Sequence, residues 1–217
     1  MALKKIKNAF LVGLAFSLLL MNFGCSLFSL FGPDNIDDID GDSKTTPYSG
    51  MPYQGGIVFT IFEEGTPGYV SGETHGLIAA IADQSDGIQW CDSAFGPETG
   101  ATGTEVGTGQ SNTTKIVDAQ GPGAYAAQLC DDYINPDSGT GVYDDWYLPS
   151  QNELDLLNWN KDNVTGIYCS WYWSSTENSP PGGTNYARCQ LMITGTMDWY
   201  PKDGSGSYLR VRAIRSF

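Results

Sequence analysis

The sequence predicts an α+β domain behind an export segment. Two observations predict the fold class. β-Branched and aromatic runs that read as strands sit at both ends of the folded region, at 55–62 and 75–82 and again near 171–177, 186–193 and 208–216. Runs with capping residues and one apolar face lie between them, separated by long polar loops in a chain with 27 glycines.

Residues 1–24 read as a targeting segment. Lys4, Lys5 and Lys7 form a basic start, and residues 9–21 form an apolar run too short for a membrane span. The run ends at Gly24-Cys25-Ser26, which resembles a bacterial lipoprotein cleavage site with Cys25 as the lipidated residue. Asn22 departs from that pattern, which usually has leucine there. Ser26 resembles the sorting signal for the outer membrane. Residues 25–52 then read as the lipidated cysteine and an acidic tether carrying Asp34, Asp37, Asp38, Asp40 and Asp42. The folded domain is expected over 53–217.

Within it, Gly55–Phe62 is a β-branched strand. His75–Ala82 is a second strand, apolar enough to be buried on both faces. Gly87–Cys91 is a short third strand. A Gly/Thr-rich loop follows, and Ser111 or Asn112 caps a helix to about Ala119. A second helix runs from Gly123 to about Tyr133. Asp144–Leu154 reads as an aromatic strand stopped by Pro149 and turned into a third helix, with Ser150 and Glu153 forming a capping box.

The chain carries a formal charge of −14, and without the three lysines of the targeting segment 8 basic residues face 25 acidic ones, a net −17. Such a surface repels nucleic acid and sulfated glycans unless a basic patch intervenes, so no nucleic-acid partner is expected. Four of those basic residues, Arg188, Arg210, Arg212 and Arg215, are expected to pair with Glu153, Glu177 or nearby aspartates.

Four cysteines lie in the exported domain. Their even number suggests two disulfides, and the spacing favours Cys169–Cys189 across neighbouring strands, leaving Cys91–Cys130. They lack the spacing of a zinc site, so no metal is expected. His75 is the only histidine, and no nucleophile and base can be placed around it from sequence, so a structural role is expected. Gly107-Thr108-Gly109 before a helix lacks the lysine of a phosphate loop and reads as a turn. Trp159-Asn160-Lys161-Asp162 is similar to a calcium-and-sugar motif of C-type lectins but has an inserted lysine, and is read as coincidence. No cofactor is expected.

Aromatic residues are dense in the last third of the chain. Flat, rigid and amphipathic rings suit sugar and protein recognition, and Trp159, Trp171, Trp199 and Tyr200 are the candidate ligand-binding residues, with Tyr172 or Trp173 assigned to the core. The loop 178–184 also suits an exposed site.

Gly55-Gly-Ile-Val-Phe, His75-Gly-Leu-Ile-Ala-Ala, Thr99-Gly-Ala-Thr-Gly-Thr, Gly107-Thr-Gly-Gln-Ser-Asn-Thr, Asp145-Trp-Tyr-Leu-Pro-Ser, Tyr172-Trp-Ser-Ser-Thr-Glu and Val211-Arg-Ala-Ile-Arg together resemble the Legionella collagen-like protein C-terminal domain family. That family is similar to the Fibrobacter succinogenes major paralogous domain. The Leu-Pro-Ser helix entry also resembles formylglycine-generating-enzyme-like proteins. These resemblances imply a C-type-lectin-like domain with a small antiparallel sheet, paired first and last strands and long loops. They imply a non-catalytic domain that binds a glycan or protein at the cell surface, held to the outer membrane by its lipid. The alternatives are a divergent enzyme of the formylglycine-generating-like group and a purely structural envelope protein.

Overall fold

The computed structural model describes residues 46–92, 96–177, 185–205 and 209–217. The targeting segment, Cys25 and most of the tether lie outside the described residues, as does the loop 178–184. The described residues fold as α+β, with three α-helices and two mostly antiparallel sheets among them.

The first sheet has the order β1-β2-β3-β9, from β1 (Pro52–Tyr53), β2 (Gly56–Ile61), β3 (Gly76–Ala80) and β9 (Ile214–Ser216). All five residues of β3 are buried, as its unbroken apolar run predicts, because β2 and β9 flank it and side chains cover both faces. The last strand therefore pairs with β3, and not with the first strands as the resemblance implied.

The second sheet has the order β4-β8-β5-β6-β7, from β4 (Ser85–Ile88), β5 (Trp171–Glu177), β6 (Tyr186–Leu191), β7 (Thr196–Pro201) and β8 (Leu209–Val211). The single residue pairing between β5 and β8, Tyr172 with Arg210, is parallel. Three elements differ from the sequence reading. The third strand is shifted upstream to β4, and Trp90 and Cys91 instead donate their amides to the Lys202 carbonyl. The expected strand 186–193 ends at Leu191 and turns at Thr194-Gly195 into β7; Gly195 supplies the positive φ of 74° that this turn needs. The expected strand 208–216 is two strands, because the chain crosses from one sheet to the other at Arg212-Ala213.

Helices α1 (Gly109–Gln120), α2 (Ala126–Asp131) and α3 (Gln151–Trp159) fill the middle of the chain. The start of α1 is earlier than expected, with Thr108 at the cap, so Ser111 and Asn112 fall inside the helix. The buried Asn112 side chain bonds both the amide and the carbonyl of Gly103 and so holds the Gly/Thr loop. The aromatic stretch before α3 makes one bridge, Tyr147 to Ile214, rather than a strand. The capping box of α3 forms as read. Ser150 Oγ accepts from the Glu153 amide at 3.3 Å, and the carboxylate accepts from the Ser150 amide at 2.7 Å. Glu153 also accepts from the Gly107 amide at 2.8 Å, so this buried side chain ties the starts of α1 and α3 together. A Cβ on Gly109 would stand 2.2 Å from Glu153 Oε2, which is why α1 begins with glycine there. Burial raises the Glu153 pKa, and the amide bonds oppose the rise.

Two apolar clusters form the core. One gathers Trp90, Tyr125, Trp146, Trp173 and Val211; the other gathers Phe59, Leu77, Leu154, Leu157, Tyr172 and Ile214. Successive residues Tyr172 and Trp173 point to opposite faces of β5 and enter different clusters, so both are buried. Each large apolar side chain fully withdrawn from water in this way contributes about 1.5–3 kcal/mol.

Three of the four arginines pair as expected with aspartates, Arg210 and Arg212 with Asp83 and Arg215 with Asp145, whereas among the described residues Arg188 makes no carboxylate pair and stacks on Trp199 instead. Glu177 pairs with Lys202 instead, both fully buried, and among the described residues the partners of Glu153 are neutral donors.

The expected disulfides are not formed. Cys130 and Cys189 are buried thiols. The β5–β6 register puts Cys189 opposite Trp173, four residues beyond Cys169. At about 3.3 Å per residue those backbones stand on the order of 10 Å apart, past the roughly 7 Å that a disulfide spans.

Candidate functional site

The four aromatic candidates do not share one surface. Trp171 and Tyr200 pack on each other at 5.3 Å and lean on the first cluster. Trp199 lies half-buried on the other face of β7, opposite Arg188, whose guanidinium stands 3.6 Å from the ring centroid. Only Trp159 stands free, 78% exposed at the end of α3.

Trp159 forms one side of a groove of about 350 Å³. The groove lies between the end of α3 and the β6–β7 turn. Asp155, Asn158 and Lys161 line it from the helix side; Ile193, Thr194 and Gly195 line it from the turn. Ile193 is 58% exposed. Beneath them lies the buried Gln190, whose amide nitrogen donates to Asp155 Oδ1 at 2.7 Å and to the Gly195 carbonyl at 3.1 Å. Asn158 Oδ1 and Gln190 Oε1 are buried and accept no hydrogen bond from the described residues. A buried amide oxygen left so costs about 1–3 kcal/mol in a folded chain.

The helix end explains the geometry. Asn160 Nδ2 donates to the Leu156 carbonyl at 2.9 Å, and Lys161 Nζ to the Asn158 carbonyl at 3.2 Å, which closes α3 and starts a 3₁₀ turn over Lys161–Asn163. The residues similar to a lectin motif therefore terminate a helix. Trp159, the last helical residue, falls where the inward face has run out, so its ring lies outside the core. The sequence reading names Trp159 among four aromatic candidates, and Asn158, Gln190, Ile193 and Thr194 are not among its candidates. The Thr194-Gly195 turn signal was the available clue to where the groove's second wall lies.

A second hollow, about 450 Å³, contains His75, lined also by Thr46, Pro47, Tyr53, Gly72, Glu73 and Thr74. No cysteine is among these residues. Both ring nitrogens of His75 are engaged, Nδ1 with the Phe217 carbonyl at 3.0 Å and Nε2 with Glu73 at 2.7 Å. The Glu73 bond first, and the Phe217 carbonyl second, raise its pKa above 6.5. The protonated ring can donate at both nitrogens, so its contribution is fully present below the unfolded pKa and is lost as pH rises through the higher folded one. The stability gap between the protein and His75→Gln should be widest below the ordinary histidine pKa of about 6.5 and shrink as pH rises above it, read by thermal unfolding across a pH series.

The thiols are poor nucleophiles. Burial raises the pKa of Cys130 far above the thiol range, and burial, with Asp198 nearby, pushes Cys189 up to about 12. Among the described residues no group of three or more His, Cys, Asp or Glu side chains is placed to hold a metal ion.

No protein-family model matches this chain, and no curated protein does.

Proposed function

We propose that this chain is a cell-envelope lipoprotein, anchored through Cys25 to the outer membrane, whose 53–217 domain is a non-catalytic binding module for a glycan or protein at the cell surface. We assign that domain to the Legionella collagen-like protein C-terminal group, with a C-type-lectin-like arrangement. The observation that carries the reading is the groove beside Trp159, an exposed ring over a polar floor held by a helix end and a tight turn. Binding modules place rigid aromatic rings in this way because burying them on contact costs little conformational freedom. The occupied His75 nitrogens and the buried, high-pKa Cys130 and Cys189 support a binding role over a catalytic one.

The test is the full chain in a bacterial host. Mass spectrometry of the N-terminal peptide should show a diacylglyceryl group on Cys25, and Cys25→Ser should leave the membrane fraction. The intact lipoprotein should retain a surface glycan or protein without altering it. Chemical conversion of the retained ligand overturns the binding-module reading.

A further inference from the structure

We propose that the Trp159 groove is a site for a neutral oligosaccharide, with the indole stacking on a sugar ring and the Asn158 amide and Asp155 carboxylate meeting its hydroxyls. This rests on the binding-module reading and names its ligand class.

The indole comes first. The chain buries Trp90, Trp146 and Trp173 almost completely, yet leaves Trp159 78% exposed. The exposed Ile193 lines the same groove, so an occupant meets apolar surface from both the helix and the turn. The C–H face of a pyranose is flat and apolar and its edge carries hydroxyls, which matches a ring with polar groups set below it.

The floor is the second observation. Asn158 is 92% buried by its relative exposure of 8%, lines the groove and has an amide oxygen without a donor. Gln190 beneath it has the same want, with its nitrogen already held by Asp155 and Gly195. A hydroxyl is both donor and acceptor, so one sugar edge can give a proton to an amide oxygen and another to the Asp155 carboxylate. Gly195 leaves the Asn158 amide its space, because a Cβ there would come within 2.9 Å of Asn158 Nδ2.

Charge selects a neutral ligand. Asp155 lines the groove, and Lys161, the cation lining it, has its ammonium on the Asn158 carbonyl at the helix end. In a chain of formal charge −14, a sulfated or carboxylated sugar meets repulsion that a neutral one does not.

The test titrates the full-length protein with chitohexaose, cellohexaose and maltohexaose, with heparin as the anionic comparison, by calorimetry. At least one neutral hexaose should bind. Trp159→Ala should weaken it by at least about tenfold, Trp159→Phe by only about threefold, and the exposed Ile134→Ala control should leave it unchanged. Trp159 lies outside the core, so the variants should unfold at the parent temperature. No binding of any neutral hexaose, or binding that survives Trp159→Ala, overturns the inference. Heparin binding alone, or capture of a protein at another face, also overturns it while leaving the binding-module reading in place. Cleavage of the hexaose overturns that reading itself.

Discussion

Arg212→Ala should lower the free energy of unfolding by about 3–5 kcal/mol, the cost of breaking a buried ion pair and leaving its buried acceptors without donors. The side chain is fully buried at the point where the chain crosses between sheets. Its Nε donates to Asp83 Oδ1 at 2.7 Å, one terminal nitrogen to the Ala80 carbonyl at 2.6 Å and the other to the Gly166 carbonyl at 2.6 Å. Truncation takes one of two arginines from Asp83, which keeps Arg210 and the Tyr172 hydroxyl, and leaves the Ala80 and Gly166 carbonyls facing a void. Lysine should not rescue the loss, because one ammonium cannot cover three acceptors set in a plane. Urea unfolding of the parent, Arg212→Ala and Arg212→Lys checks this. A loss under about 1 kcal/mol in both variants would sink the claim.

Glu177→Ala should cost a similar amount and should act on a different part of the molecule. The Glu177 carboxylate is fully buried. It pairs with Lys202 and accepts from the amides of Thr99 and Gly100, at 3.0 and 2.9 Å, and from the Thr99 hydroxyl at 2.9 Å. Its removal leaves an unpaired ammonium beside Trp90 and frees the loop around Thr99. The expected result is a loss of about 3–5 kcal/mol together with faster hydrogen exchange at Thr99 and Gly100. Replacing both charges, as in Glu177→Leu with Lys202→Met, should recover part of the loss, since no buried charge is then left over. If the double variant is no more stable than Glu177→Ala, the pairing account is wrong.

What could be read from the sequence was what neighbouring residues decide among themselves. Ser150 and Glu153 are three apart, and a capping box needs nothing further to form, so α3 was legible to within a residue. The run Gly76–Ala80 was legible as doubly buried from its composition alone. β7 was not, because Thr196–Pro201 has no clean alternation and takes its identity from hydrogen bonds to β6. The division of the last strand was invisible for the same reason, since Arg212 is fixed by Asp83, Ala80 and Gly166, all far upstream. The Cys169–Cys189 pair failed on register, which no spacing supplies: Cys189 lies opposite Trp173, four residues beyond Cys169. Trp159 enters the reading only as one of the aromatics dense in the last third of the chain. Its floor could not be picked out, because Asn158 and Gln190 are brought together only by α3 packing on β6. The Gly-rich turn at Gly107 was legible as a turn without an external anion, and the structure adds that its amide is taken by the chain's own Glu153.

The pairing of β9 with β3 sets the order of biogenesis. A polypeptide still emerging from a ribosome has the hydrophobic strand β3 waiting for the final few residues. Until Ile214–Ser216 arrive, that strand offers an open edge, and the native arrangement cannot close. Removing residues 214–217 would leave β3 paired with β2 alone and take Ile214 out of the second apolar cluster.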